Sequence, residues 1–523
     1  MERAGAAMAA VVCAWLRNDL RVHDSPVLHR AAALARKRGT PALPVYVLDP
    51  RHFRRTRFGT LKTGPFRALF LLRALGLLKR RLRGLGSELL VRVGRPEEVL
   101  PELLPEGSLL VTQEEVTSEE LQVDARLKKA LDGKAEWEYC WGSTLFHRDD
   151  LPFRRDLKDA PDVFTAFKNT VEPELAAPVN EVPESYQGKK KKKSRIKVRP
   201  CLPDPARGSL PLPELDPSAL AFEPKWSDLP YEEPVPQPWP AVQGSASAAF
   251  EGGEEPGLQR LKYYLWDSDL IKTYFETRNG MLGTDYSTKL APWLALGCVS
   301  PRKIFEQVRE YEGARVANKS TYWVLFELMW RDFFRYFAAK HGTAIFQADG
   351  VVGRPRSWED DDRLFELWAT GRTGYPLVDA NMRELKETGF MSNRGRQNVA
   401  SFLALDLKLD WRRGADWFES YLVDYDVTAN WGNWVHAAGL TTGRVNRFNV
   451  VKQSKDYDAG GDYLRHWLPE LKEVPAAKVH EPWLLNSEER RRYNAEEYPK
   501  PCVDPSSFQN RGGGGKGGQG GSR

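Results

Sequence analysis

The periodicity of this chain changes partway along it, and that change limits the folds it can adopt. Short runs rich in β-forming residues occur at 11–16, 45–48, 89–93, 109–112 and 137–139. Helical stretches such as 66–82 lie between them. Strands that alternate with helices predict a parallel sheet covered by helices on both faces. From Leu258 to Trp483 the pattern is helical and aromatic, so we expect a doubly wound α/β domain followed by an all-α domain.

Proline and glycine divide the chain further. Of the 36 prolines, 15 lie between Pro173 and Pro240, around a lysine run at 189–193. We expect an α/β domain over 8–172, a Pro-rich linker over 173–256, a helical domain over 257–485 and a disordered, basic, Gly-rich tail over 486–523. The lysine run has three interpretations: a solvated charge block, a nuclear-localisation signal or a contact to phosphates.

Charge and cysteine content restrict the class of protein. A net charge of +6 over 523 residues is mild, so a nucleic-acid surface would have to be a local patch. The 5 cysteines stand far apart without a CxxC pair, which argues against a disulfide framework or a metal site. No apolar run approaches the length of a bilayer span. We expect a soluble monomer in a reducing compartment, the nucleus or cytoplasm rather than an organelle.

One segment, from Thr373 to Asp458, combines polar groups and indoles more densely than a core requires. Its polar and aromatic clusters are Asn393, Arg394 and Arg396, then Asp424 and Asp426, then Asn430, Trp431, Asn433 and Trp434. Hydrogen-bonding edges beside flat aromatic faces suit a large planar heterocycle that carries phosphates. Two hydroxyls and a lysine at 287–289 precede a helical segment near Pro292, which predicts either a pyrophosphate cradle or a capping turn.

Several motifs of this chain, in this order, resemble the photolyase/cryptochrome family, and above all its DASH-type members. They are WRDFF at 330–334, NRGRQN at 393–398, DYD at 424–426, NWGNW at 430–434 and NRFN at 446–449. The resemblance implies an α/β antenna domain, a linker and a helical domain that holds FAD in a folded conformation.

The resemblance also implies roles for individual residues. It places Tyr274, Ser287, Thr288, Lys289 and Leu290 around the FAD phosphates and ribose, and Asn393, Arg396, Asp424 and Asp426 around the flavin ring. Asn430 would tune the flavin radical and favours repair chemistry; the alternative is a purely structural amide. Trp358, Trp411 and Trp434 match an electron relay to the flavin, although each alone could be an ordinary core residue.

The implied substrate site departs from the usual pattern of double-strand photolyases. Glu327 and Trp330 match residues that contact a flipped pyrimidine dimer. Gln397 stands where those enzymes carry Met, and His436 stands where family members more often carry Trp or Tyr. Imidazole stacks less well than the larger rings, so we expect weaker dimer binding and a preference for single-stranded or looped DNA.

Glu115 matches a carboxylate that binds the antenna 5,10-methenyltetrahydrofolate, with a surface helix cap as the alternative. Its neighbour Glu114 cannot be separated from it by sequence.

Two functions remain open. The first is an enzyme, a weak or single-strand-specific deoxyribodipyrimidine photolyase that splits cyclobutane dimers with light. The second is a blue-light photoreceptor or DNA-binding transcriptional regulator with little repair activity. The tail from Arg511, rich in glycine, could add a weak contact to RNA.

Overall fold

The computed structural model describes residues 9–172, 196–229, 231, 250–353 and 355–509. The lysine run at 189–193 and the Gly-rich tail from Arg511 lie outside these ranges. One parallel sheet has the strand order β3-β2-β1-β4-β5. The strands are β1 (Val12–Leu16), β2 (Ala42–Leu48), β3 (Leu90–Val93), β4 (Ser108–Gln113) and β5 (Ala135–Cys140).

Burial explains why these runs form the centre of a doubly wound sheet. Every residue of β1, β2 and β4 is buried, as expected of strands covered by helices on both faces. Val12 pairs with Ala42 on one side and with Leu109 on the other. The strand order therefore reverses at β1, which confirms the doubly wound α/β prediction.

Helices connect and follow the strands of this first half. They are α1 (Pro26–Arg38), α2 (Pro65–Gly84), α3 (Pro96–Leu103), α4 (Ser118–Ala130), α5 (Phe164–Val171) and α6 (Pro217–Ala221). The start of α1 follows its sequence signal, since Ser25 caps the helix and Pro26 is its first residue.

The second half is helical throughout, as predicted. Its helices are α7 (Glu254–Lys262), α8 (Tyr274–Thr277), α9 (Ala291–Ala295), α10 (Pro301–Ala314), α11 (Lys319–His341), α12 (Asp362–Ala369), α13 (Pro376–Thr388), α14 (Asn393–Ser401), α15 (Trp411–Tyr421), α16 (Val427–Ala437), α17 (Val450–Tyr457), α18 (Asp462–Trp467), α19 (Ala476–Val479), α20 (Ser487–Arg492) and α21 (Ser506–Gln509). The helix α11 is the longest of these at 23 residues, and it packs against α16, which carries the whole NWGNW motif.

Buried charges join the two halves. Arg302 of α10 donates from Nη2 to Asp24 Oδ1 at 2.5 Å and from Nε to Oδ2 at 3.0 Å. Glu254 of α7 accepts from the backbone N–H of Val22 at 2.8 Å and contacts His23 Nδ1 at 2.7 Å. Because each buried charge has a partner from the other half, these contacts fix the helical half against the loop that follows β1.

The predicted start of a disordered tail at 486 is wrong. Residues 486–509 include α20 and α21, and Tyr498 is fully buried. Its hydroxyl donates to Asp379 Oδ2 at 2.6 Å. The segment is ordered because its aromatic side chains and backbone pack on α13, a tertiary contact that composition does not reveal.

Within the described ranges, the five cysteines are free thiols, no cluster of ligating side chains could hold a metal ion, and no helix is long and apolar enough to cross a membrane.

Candidate functional site

A buried arginine shapes the loop between α8 and α9. Arg260 of α7 donates to the backbone oxygens of Thr284, Ser287 and Thr288 at 2.9, 3.1 and 3.0 Å. In a trans peptide the carbonyl and the following N–H point in opposite directions, so the N–H groups of Thr288 and Lys289 face away from Arg260. Since α9 has only five residues, any anion cradle here is built by the loop rather than by a helix dipole.

Lys289 is buried at the end of this loop, within electrostatic reach of Glu384, Arg396 and Asp424. We call the region bounded by these residues and Tyr286 the cleft. Its Nζ is 3.2 Å from the ring centroid of Tyr286 and 4.5 Å from that of Phe390. Neither Lys289 Nζ nor the Tyr286 hydroxyl has a hydrogen-bond partner. Burial holds the pKa of Lys289 well below its usual value, although the nearby carboxylate of Glu384 opposes that shift.

A charged pair forms another wall of the cleft. Arg396 Nη2 donates to Asp424 Oδ2 at 2.8 Å, and its Nε donates to the Met391 carbonyl at 2.9 Å. The other carboxylate oxygen, Asp424 Oδ1, is buried and has no partner. The structure thus brings together the two residues that the sequence pairs beside the flavin ring.

Glu384 is a further polar group at the cleft. Its Oε2 accepts from the Tyr463 hydroxyl at 2.7 Å, whereas its Oε1 is buried without a partner. Burial raises the pKa of this carboxyl to about 7. Buried polar atoms without partners are rare in native proteins. Four of them, on Tyr286, Lys289, Glu384 and Asp424, indicate that the cleft takes a ligand with many hydrogen-bonding groups.

The remaining predicted flavin-binding residues differ in burial and in their hydrogen-bond partners. Asp426 caps α16 by accepting from the N–H of Thr428 and Ala429, and Asn430 donates to the Ala415 carbonyl at 3.0 Å. Tyr274 and Leu290 are buried, and Asn393 is exposed at the first residue of α14. Burial alone would raise the pKa of Asp426, but Arg331 and the cap hydrogen bonds hold it below its usual value.

The three relay tryptophans occupy neighbouring elements. The indoles of Trp358 and Trp411 donate to the same carbonyl, that of Ala348. Trp434 packs edge-on against Phe418 at 5.1 Å. Gly414 makes room for it, because a Cβ at that position would lie 2.3 Å from the Trp434 ring. Their roles in electron transfer remain predictions.

Glu327 and Trp330 share one half-exposed face of α11. Glu327 Oε1 accepts from the Trp323 indole N–H at 3.1 Å and lies 3.7 Å from Arg278. Burial raises the pKa of Glu327. The ring of Phe164 lies parallel to Trp330 with a centroid distance of 3.6 Å. One face of that indole is therefore already covered by the protein.

The side chains of Gln397 and His436 are held by contacts that the sequence does not predict. Gln397 accepts from Arg394 Nη1 at 3.0 Å. The imidazole of His436 meets Phe334 edge-on at 6.1 Å, and its Nδ1 is buried without a partner. Burial lowers the pKa of His436 below its usual value. The imidazole therefore places a buried polar nitrogen without a partner beside the ring of Phe334.

Glu115 follows the carboxyl end of β4, and a cavity opens at the same edge of the parallel sheet. Glu115 is buried; it accepts from Arg335 Nη2 at 3.0 Å and from Gln113 Nε2 at 3.1 Å. A cavity of about 690 Å³ opens beside the carboxyl end of β1 and is lined by Trp15, Asn18, Glu119, Tyr425 and Trp431 among others. Crevices at the point where strand order reverses are the usual ligand sites of such sheets.

Several residues of the site escape sequence reasoning. Arg260 and Phe164 act through contacts distant in sequence, and nothing in their local pattern signals them. Glu384 does carry a signal, since a carboxylate on the apolar face between Met382 and Leu385 has to be paired or functional.

Comparison with known proteins agrees with this geometry. The sequence model described as DNA photolyase matches residues 12–184, and the one described as the FAD binding domain of DNA photolyase matches residues 323–512. A cryptochrome DASH of Ostreococcus tauri, named chloroplastic/mitochondrial, is 48% identical over 514 residues, covering 94% of this chain and 90% of the relative.

Solved structures give the same result. A cryptochrome of Synechocystis sp. PCC6803 has a TM-score of 0.83 and 44% identity, covering 96% of this chain and 98% of the other. An archaeal photolyase from Sulfolobus tokodaii, described as holding two FAD molecules with the implication of a novel light-harvesting cofactor, has a TM-score of 0.69 and 25% identity, covering 96% of this chain and 98% of the other.

The fold, the cleft and these likenesses define an FAD-binding flavoprotein whose α/β domain is of the DNA photolyase type. The chain belongs to the photolyase/cryptochrome family, in which it is similar to the DASH-type cryptochromes. FAD fits the cleft, because its phosphates, hydroxyls and ring edge can pair with the buried groups of Tyr286, Lys289, Glu384 and Asp424.

Proposed function

We propose that this flavoprotein uses blue light to split cyclobutane pyrimidine dimers, with a preference for single-stranded or looped DNA. The observation that carries the proposal is the half-exposed face of α11, where Glu327 and Trp330 stand together. A carboxyl group can hydrogen-bond the edges of a flipped pyrimidine dimer, and an indole can stack on its rings.

In this proposal the cleft residues hold the cofactor. The loop at 284–290 would receive the phosphates of FAD, with Lys289 as the buried cation and Arg260 fixing the loop from behind. Arg396 and Asp424 would face the flavin ring, and Asn430 the ring nitrogen that is protonated in the radical. The chemistry that FAD supplies when bound is light-driven transfer of one electron to the dimer and its return after the cyclobutane bonds break.

The relay and the substrate residues complete the proposal. Trp358, Trp411 and Trp434 would deliver electrons from the surface to keep the cofactor reduced, since indole is an easily oxidised side chain. Glu327 would orient the dimer against Trp330, while Gln397 and His436 would form the less apolar side of the pocket. That side offers less stacking, so the cost of extracting a dimer from a duplex is less well offset.

We further propose methenyltetrahydrofolate as the antenna, held beside Glu115. The carboxylate is buried and oriented by Arg335, so it can direct a remaining lone pair at a pterin. The cavity of about 690 Å³ is a neighbouring place for a chromophore. A near-ultraviolet absorption band lost in Glu115→Ala, with FAD retained, would support this assignment.

The second candidate is a blue-light photoreceptor or regulator that binds DNA with little repair. The observation that favours it is that the Phe164 ring lies parallel to the Trp330 indole and covers one of its faces. The two candidates separate in one experiment. Purified protein is mixed with a single-stranded oligonucleotide that contains one dimer, and intact dimer is counted after blue light and after darkness. Loss of dimer in light alone supports repair; unchanged dimer with bound oligonucleotide supports the regulator.

A further inference from the structure

A stripe of half-buried and exposed side chains continues beyond Glu327 and Trp330 toward the beginning of α11. Lys319 and Trp323 precede Glu327 by eight and four residues, so all four lie on one face of the helix. At 1.5 Å per residue, Trp323 lies about 10 Å along the helix from Trp330. That is about the length of three stacked nucleotides at 3.4 Å each.

Aromatic rings and cations alternate at this end of the stripe. The ring centroids of Phe275 and Trp323 are 4.7 Å apart, and those of Trp323 and Phe326 are 4.5 Å apart. The guanidinium of Arg278 lies 4.8 Å from the Trp323 centroid, and Lys319 Nζ lies 3.4 Å from that of Phe275. None of these three rings is fully buried. Aromatic faces interleaved with cations are the usual surface for single-stranded nucleic acid.

We propose that this surface, formed by Phe275, Arg278, Lys319 and Trp323, binds the bases that flank the dimer on one side of the lesion. The proposal rests on the proposed function for the place of the dimer. The indole of Trp323 would stack on a flanking base while Lys319 and Arg278 contact its phosphates. A duplex keeps its bases paired and unavailable for such stacking, so this surface would itself contribute to a preference for single strands.

The test is a binding series in the dark, at fixed salt, by fluorescence anisotropy. The ligands are a dimer dinucleotide, the dimer with three nucleotides on its 5′ side only, the dimer with three on its 3′ side only, and an undamaged strand of equal length. For the wild-type protein we expect tighter binding with one of the two flanks and little change with the other. Equal gains from both flanks, or from neither, would overturn the proposal.

Trp323→Ala and Trp323→Phe separate stacking from the hydrogen bond to Glu327. The flank gain is the increase in binding affinity that the three nucleotides on the favoured side give. In Trp323→Ala it should fall by about tenfold, the usual scale of one lost base stack. Trp323→Phe keeps an aromatic face and should keep most of that gain, although both variants lose the N–H donated to Glu327. If the two variants lose the flank gain equally, Trp323 acts through Glu327 and the stacking proposal is wrong.

Trp137→Ala is the matched control, because that indole also has a lysine ammonium near its ring, Lys128 at 5.3 Å, but lies on β5 of the sheet. It should leave the flank gain unchanged.

Lys319→Gln should lower the slope of log affinity against log salt by about one phosphate contact. An unchanged slope would count against the proposal.

The outcomes also distinguish this proposal from the function on which it rests. Suppose that single strands bind more weakly to Trp323→Ala and that the wild-type protein removes no dimer in light. Repair would then be refuted, and the binding surface would stand. Light-dependent repair without tighter binding to either flanked ligand would support the repair function and refute the proposed surface.

Discussion

The indole N–H groups of Trp358 and Trp411 converge on one acceptor, the carbonyl oxygen of Ala348, at 3.2 and 3.3 Å. The shared acceptor brings the two indole N–H groups close together, although the residues come from different segments of the chain. Trp411 is fully buried and Trp358 is half-buried, so the pair leads from the core toward the surface. The proposed relay, which carries electrons from the surface to the flavin, needs one partly exposed ring and one buried ring in this order.

Trp411→Phe should therefore slow photoreduction of the flavin sharply. Phenylalanine keeps similar bulk but is much harder to oxidise and cannot donate to Ala348. The rate is followed by absorbance under blue light with an external reductant. Trp293→Phe serves as the control, because Trp293 is also fully buried and donates to a backbone carbonyl. Wild-type rates in Trp411→Phe would remove Trp411 from the relay.

Asp424→Ala should lower FAD occupancy. The change leaves Arg396 without its carboxylate partner, and a hydrogen bond to a charged group contributes about 1.5–3 kcal/mol. Occupancy is measured from the ratio of flavin to protein absorbance after purification. Glu470→Ala breaks another arginine–carboxylate pair, with Arg383, and should leave occupancy unchanged. Equal FAD content in both variants would contradict the place given to Asp424.

The buried carboxyl of Asp379 should make stability depend on acidity. Burial raises its pKa from the usual 3.8 to about 6, despite hydrogen bonds from Thr373 and Tyr498. The folded protein then holds this proton more tightly than the unfolded chain. The corresponding stability is fully present below about pH 4 and is lost as the pH rises to about 6, at up to about 1.4 kcal/mol per pH unit.

The check on Asp379 is the slope of the unfolding midpoint against pH over that window. Asp379→Asn should flatten the slope whatever its effect on absolute stability. Asp360→Asn, at a side chain that is 98% exposed, should leave the slope as it is. An unchanged slope in Asp379→Asn would show that other groups cause the dependence.

His436→Tyr should strengthen dimer binding. The imidazole has a buried Nδ1 without a partner and meets the Phe334 ring edge-on. A larger aromatic ring offers more stacking area, and one base stack is worth about 1–3 kcal/mol, so a gain of several-fold is expected. Affinity for a dimer-containing single strand is compared with that of His466→Tyr, a control on α18. No gain, or a loss, would show that His436 does not line the dimer pocket.

Much of the fold could be predicted because local patterns decide it. Buried strands such as β1 and β4 read as apolar runs, and Ser25 and Pro26 mark the start of α1. The tail boundary failed because Tyr498 is held by Asp379, a partner 119 residues earlier. Charge and glycine content carry no information about such a contact.

Part of the candidate site could likewise be predicted from the sequence, and part could not. Arg396 and Asp424 could be paired from motif and chemistry, and the structure joins them at 2.8 Å. The contact of Arg260 with the loop before α9, and the cover of Phe164 on Trp330, depend on how separate helices pack. Sequence periodicity gives the buried face of a helix but not its neighbour across the core.

The most direct test of the account is light-dependent repair of the same dimer in single-stranded and in duplex DNA. Both substrates are incubated with the flavin-loaded protein, and intact dimer is counted against illumination time, with dark samples as the reference. We predict rapid loss of dimer from the single strand, much slower loss from the duplex and none in the dark. Equal light-dependent rates on the two substrates, or no repair of either, would contradict it.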